Sequence, residues 1–135
     1  MRAIEERMKS YYIAKKKYES VKLELEEIES IINNITQDYS KPRVKTSINT
    51  DKLAEMMDKL SEQHNKCNKM QVDMVHAFID VTNLIDKLED PFMREVMTRH
   101  YISCEYWIEI AHSIPYDYSG LHKIKRKAFE LLERG

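Results

Sequence analysis

The sequence predicts an all-α protein: two long helices of coiled-coil-forming character, then a small C-terminal domain of short helices. Three observations predict it. Glycine and proline number only two and three in 135 residues, against average usage of roughly 7% and 5%. A β-sandwich or barrel needs such turn formers about every 8–12 residues. Apolar residues recur at alternating steps of three and four over residues 4–35 and again over 53–88, the pattern of helices that pack along a seam. Beyond Asp90-Pro91 the periodic runs shorten, and Pro115 interrupts them.

The first seam runs Ile4, Met8, Tyr11, Ala14, Tyr18, Val21, Leu25, Ile28, Ile32, Ile35, with one slip near Tyr11. No Gly or Pro interrupts it, and Glu5/Lys9 is a favourably oriented i,i+4 pair. One helix is expected over residues 2–35. Residues 36–50 break the pattern: Asn33, Asn34, Pro42 and several hydroxyl residues favour turns. Thr50 is a plausible N-cap for the next element. The second seam is Leu53, Met57, Leu60, His64, Cys67, Gln71, Met74, Phe78, Val81, Ile85, Leu88. It predicts a helix of about 38 residues, near 57 Å long. His64 and Gln71 are its polar members and read as register-setting residues.

Two such helices joined by one connection suggest an antiparallel hairpin, and residues 1–89 are expected to form that unit. Ile13, Leu23, Ile31, Met56, Met70, Val75 and Ile79 lie beside the seams, and a single hairpin leaves them uncovered. A homodimer through the long helices is therefore expected, with Leu53, Met57, Leu60, Met74, Phe78 and Val81 as dimerisation residues. The alternative is a C-terminal unit folding back over that surface.

Residues 90–135 form the second expected unit. Asp90 can cap and Pro91 suits a first helical position, giving a helix over Phe92–Tyr101. A second covers Tyr106–Ser113 with Trp107, Ile110 and Ala111 inward. Pro115 forbids its continuation. Asp117 caps a last helix from Tyr118 to about Arg134, whose inward face is Leu121, Ile124, Ala128 and Leu131 or Leu132, with Phe129 flanking.

Composition narrows the function. The formal net charge is −1, so the whole chain is not steered toward nucleic acid or an anionic membrane. Charge is uneven, however: residues 36–49 carry a net +2, residues 50–90 a net −4, and Leu121–Lys127 holds four cations and no anion. The glycines, Gly120 and Gly135, cannot write a phosphate-cradling loop or a nucleophile elbow. Cys67 and Cys104 form no CxxC and have no histidine cluster at metal-site spacing, so reduced thiols and no metal or cofactor are expected. Glu105/Glu109 is an i,i+4 carboxylate pair of the kind common on solvated helices, and no catalytic constellation emerges; an enzyme is not expected. The start MRAIEERMKS lacks an apolar signal core and no run spans a membrane, so a cytoplasmic protein is expected.

A short helix, a tight turn and a helix cationic near its start make a helix-turn-helix pattern. An exposed helix fits the major groove, and its first turns reach base edges. Tyr118, Ser119, His122 and Lys123 are expected to project outward, with Arg126 one turn on and Lys125 and Lys127 toward flanking phosphates. These seven are the candidate DNA-binding residues.

The stretch Arg99-His100-Tyr101-Ile102, Trp107-Ile108-Glu109-Ile110-Ala111, Ile114-Pro115-Tyr116 and Leu121–Phe129 resembles region 4 of sigma-70-type factors. It is most similar to the small phage and prophage regulators of the ArpU/RinA type. Arg43–Ser47 and Leu88-Glu89-Asp90-Pro91 extend the similarity over most of the chain. The stretch departs from that family's pattern at four places. Its turn glycine before the WxEIA helix is Ser103 or Cys104 here, its N-cap serine is Tyr106, Asp117 replaces the serine opening the last helix, and Gly120 sits inside that helix at a cost of about 1 kcal/mol against Ala. The resemblance implies a transcriptional regulator of phage or prophage origin that binds double-stranded DNA and touches RNA polymerase, with Trp107 a core residue. Two rival readings stand beside it. One is a protein-interaction module docking on RNA polymerase or another factor, using Tyr116, Tyr118 and exposed apolar residues of the second helix. The other is a DNA-packaging subunit of the small-terminase kind.

Overall fold

The computed structural model describes residues 2–40 and 50–135. Every element is helical: α1 (Arg2–Ser40), α2 (Thr50–Asp86), α3 (Pro91–Tyr101), α4 (Trp107–Ser113) and α5 (Tyr118–Arg134). The all-α class is as the composition predicts. α1 runs past Ile35 to Ser40 because Asn33 and Asn34 point to solvent and Thr36 Oγ1 donates to the Asn33 carbonyl at 2.9 Å, so neither polar run competes for the helix. The Arg43–Ser47 stretch and most of the expected connection lie outside the described residues. α2 stops at Asp86. Leu88 is buried beyond its end, held by a 3.0 Å bond from its N–H to the Ile85 carbonyl.

The chain forms two compact units, Met1–Lys15 with Asp73–Gly135, and Lys16–Val72. The break expected at 89–90 falls inside the first. In that unit the start of α1 and the end of α2 run antiparallel. Arg7 Nη2 lies 2.7 Å from Asp80, and the Tyr11 and Phe78 rings meet edge-on at 5.5 Å. The ion pair is about half exposed and stabilises little. The weight lies in a core where Met8, Val81, Leu84, Ile85 and Leu88 meet Met93, Met97 and Tyr101 of α3 and Ala128, Phe129 and Leu132 of α5. Met8, at a seam position of α1, is thus covered by its own chain.

In the second unit α1 and α2 also pair antiparallel, over a smaller core of Val21, Leu25 and Cys67 with Tyr18, Leu60 and Met70 against it. Here the predicted seam is corrected. Gln63, not His64, faces inward, and its amide donates to Glu24 at 2.6 Å. Met70 packs inward while Gln71 is exposed. The inward set 60, 63, 67, 70 keeps the same alternating steps but swaps a polar residue for an apolar one. His64 is exposed, 3.6 Å from Glu29.

The expected dimerisation residues fall in different settings. Val81 is fully buried by its own chain, whereas Met57 and Phe78 are 47% and 41% exposed. Leu53, Leu60 and Met74 are half-buried, and Leu60 is spent on the second unit's core. Of the residues beside the seams, Ile13, Leu23, Ile31, Val75 and Ile79 are exposed and Met56 and Met70 half-buried. Among the described residues, no helix is long and apolar enough to cross a membrane.

Candidate nucleic-acid interface

α3, α4 and α5 pack pairwise, and each boundary has a local cause. Asp90 caps α3, its carboxylate accepting from Phe92 N–H at 3.0 Å, with Pro91 at the first position where a missing N–H costs nothing. α3 ends where Ser103 N–H reaches back to the Thr98 carbonyl and Glu105 N–H to that of Arg99, both at 3.0 Å. Between them Cys104 takes a φ of 62°, the left-handed conformation that glycine adopts freely and other residues do not. Of Ser103 and Cys104, the two positions expected at this turn, Cys104 takes the left-handed one. Arg99 then clamps the turn, donating to both Glu105 oxygens at 2.9 and 2.8 Å, and those bonds hold the Glu105 carboxyl below the ordinary range. Glu105 therefore sits ahead of α4, tied to Arg99, rather than sharing a helix with Glu109.

α4 starts at Trp107 with Tyr106 as N-cap and no side-chain cap bond. It ends at Ile114, held extended by the following Pro115. Tyr116 N–H closes a tight turn on the Ile114 carbonyl at 2.8 Å, and the Tyr116 ring rests 5.1 Å from that of Phe92. Asp117 then caps α5, accepting from Gly120 N–H at 2.7 Å. A Cβ on Gly120 would stand 2.7 Å from that carboxylate oxygen. Gly120 is thus the space the cap occupies. Val96, Ile110 and Leu121, one from each short helix, form the buried centre of this group.

The seven candidate DNA-binding residues fall on two faces of α5. Ser119, Lys123, Arg126 and Lys127 are exposed and follow one helical stripe. Tyr118, His122 and Lys125 lean the other way. The rings of Tyr118 and His122 meet at 4.4 Å, His122 lies 5.5 Å from Trp107, and Lys125 Nζ stands 6.0 Å from the Trp107 ring. Trp107 is stacked in turn on His100, centroids 3.9 Å apart and 19° from parallel. His122 therefore departs from the outward expectation. It is half-buried, and its Nε2 is buried without a hydrogen-bond partner. Burial first, then Lys125 and Arg126, push its pKa below the ordinary histidine value. Tyr118 stays 53% exposed. Trp107 is half-buried and packs on both neighbouring clusters, as a core role requires. The signal for His122's side was in the sequence: Tyr118, His122, Lys125 and buried Phe129 share one flank at three- and four-residue steps. Only α4's position reveals what that flank meets.

From Tyr118 to Phe129 the helix carries no acidic side chain, so within the stripe Lys123, Arg126 and Lys127 form a cationic group over about one turn. Among the described residues, no group of three His, Cys, Asp or Glu side chains could hold a metal ion. No family model, curated protein or solved structure matches the chain.

Proposed function

We propose that the chain is a double-stranded DNA-binding protein, with α4 and α5 acting as a helix-turn-helix and α5 entering the major groove. More particularly, the resemblance of Arg99–Phe129 to region 4 of sigma-70-type factors supports a transcriptional regulator of phage or prophage origin. One observation carries the reading: the exposed stripe Ser119, Lys123, Arg126, Lys127 on the first half of a helix whose opposite face is buried. Lys123 and Lys127 suit phosphates, and Ser119 and Arg126 suit base edges. His122 becomes a positioning residue that seats α5 on Trp107. A dimer through the long helices would present two such helices to half-sites about 34 Å apart or a multiple of that.

Selection of bound fragments from genomic DNA, followed by anisotropy titration against salt, tests this. Binding should weaken steeply with salt, each phosphate contact contributing a slope of about 0.9. The Lys123/Lys125/Arg126/Lys127 quadruple-alanine protein should lose binding and most of that slope. Undiminished binding by it would exclude α5 as the reader.

A second reading has its own observation. Tyr106, Ile108, Tyr116 and Tyr118 are each exposed, apolar side chains suited to contact with a protein such as RNA polymerase. Polymerase capture that survives high salt, without DNA retardation, favours it.

A further inference from the structure

We propose that a cavity in the first unit binds a small, uncharged aromatic molecule carrying one hydrogen-bond donor. The cavity has a volume of about 310 Å³, near the lower end for ligand pockets and enough for one or two fused rings. Tyr12 and Ile13 of α1 form one wall, and Tyr101 and Tyr106 contribute rings from the other side. Three of these, Tyr12, Ile13 and Tyr106, keep large apolar areas in solvent, so covering them removes apolar surface from water.

Charge decides the ligand class. Two charged side chains reach the wall, Lys9 and Glu105, and each already has a partner. Lys9 Nζ lies 3.3 Å from Glu5, and Glu105 holds both Arg99 donors. A charged ligand would shed water and compete with Glu5 for Lys9 or with Arg99 for Glu105; an uncharged ring avoids that cost. The donor has a receiver. His100 lines the cavity, and its Nδ1 lies 2.8 Å from the Glu105 carbonyl oxygen. A carbonyl only accepts, so Nδ1 carries the hydrogen and Nε2 is left as the ring's acceptor. Burial, with Lys125, His122 and Lys9 nearby, lowers this histidine's pKa, which keeps the acceptor lone pair available at neutral pH. The inference is independent of the nucleic-acid reading, because no residue of α5 lines the cavity.

Calorimetry on the full chain with 2-naphthol, and with 2-naphthoate as its anionic counterpart, tests it. The expected result is saturable binding of one 2-naphthol per chain, about tenfold or more tighter than 2-naphthoate. Ile13→Trp, which fills the cavity from an exposed position, should weaken 2-naphthol by about tenfold or more. His100→Phe, which keeps a ring on Trp107 but removes the acceptor, should weaken 2-naphthol and leave the weaker binding of 2-naphthoate unchanged. Ile31→Trp, a matched change in the second unit, should leave binding as it was. Should Ile13→Trp lose its helical circular dichroism, Tyr106→Ala at the cavity rim serves the same comparison. No saturable heat up to about 1 mM 2-naphthol, equal binding by the cavity-filled chain, or 2-naphthoate binding as tightly would overturn the proposal.

Discussion

Two residues carry unusual backbone and capping roles, and each makes a separable prediction. Cys104 holds a φ of 62°, which costs a non-glycine residue roughly 1 kcal/mol. Cys104→Gly should raise the unfolding free energy by about 0.5–1 kcal/mol, read by urea denaturation; a loss would show that the thiol's packing outweighs the strain. Asp117 and Gly120 are coupled through the cap bond and the missing Cβ. Asp117→Ala should cost about 1 kcal/mol. Gly120→Ala alone should be close to neutral, since about 1 kcal/mol of helix propensity is offset by the displaced carboxylate. With Asp117 already replaced by Ala, the same change should be more favourable, short of the full propensity gain because a Tyr116 ring carbon would still lie 3.2 Å from the new Cβ, and the double-mutant cycle measures the difference. The sequence marks Asp117 as a cap and Gly120 as a costly helical glycine, but not that each explains the other. That needs the Cβ position in three dimensions. Likewise the resemblance leaves the turn before α4 between Ser103 and Cys104, and only the backbone angle distinguishes them.

At the scale of the element, the packing of α5 on α3 and α4 should be pH-sensitive. Burial is the first cause lowering both His100 and His122, with neighbouring cations adding to it, against support for His100 from the Glu105 carbonyl. Below the ordinary value of 6.5 the unfolded chain takes up more protons than the folded one. Stability is therefore complete above that pH and is lost as pH falls through the depressed folded values. Thermal melts between about pH 7 and pH 5 should show the decline, and the His100→Phe/His122→Phe chain should flatten it. An unchanged slope in that variant would assign the dependence to other groups. In the core between the elements, Met97 is fully buried, and Met97→Ala should cost about 2–5 kcal/mol. Which helices exist was legible from spacing, Asp90-Pro91, Pro115 and Asp117. What escaped was rotation. His64 and Gln63 differ by about 100° around α2, and pattern alone cannot tell which faces α1 when both are polar. Similarly, the wheel groups Tyr118, His122 and Lys125 on one flank of α5, but only Trp107's position shows that the flank is occupied.

At the scale of the whole molecule, the two units differ in what sustains them. The first joins five helical segments around one broad core, while the second is a helix pair whose buried apolar residues, among those described, are Val21, Leu25, Ile28 and Cys67. Amides of α3 and α5 should exchange with solvent far more slowly than those of residues 16–35 and 52–72, unless a partner covers the latter. Light scattering of the chain and of Met57→Lys distinguishes the cases. In a dimer built on this face, the exposed Met57 should shift the mass to that of one chain without unfolding the first unit. Had the mass stayed unchanged, the expected dimer seam would be misplaced.

The first unit has a further consequence, for synthesis. Met8 leaves the ribosome well ahead of Met97, Phe129 and Leu132, which share its core. At roughly 5–20 residues per second, the nascent segment around Met8 waits on the order of ten seconds with its apolar stripe uncovered. A chain stalled or cut within α5 would leave the same stripe open, so the emergence of α5, rather than growth of the long rods, is the step that closes this core and the window for chaperone capture.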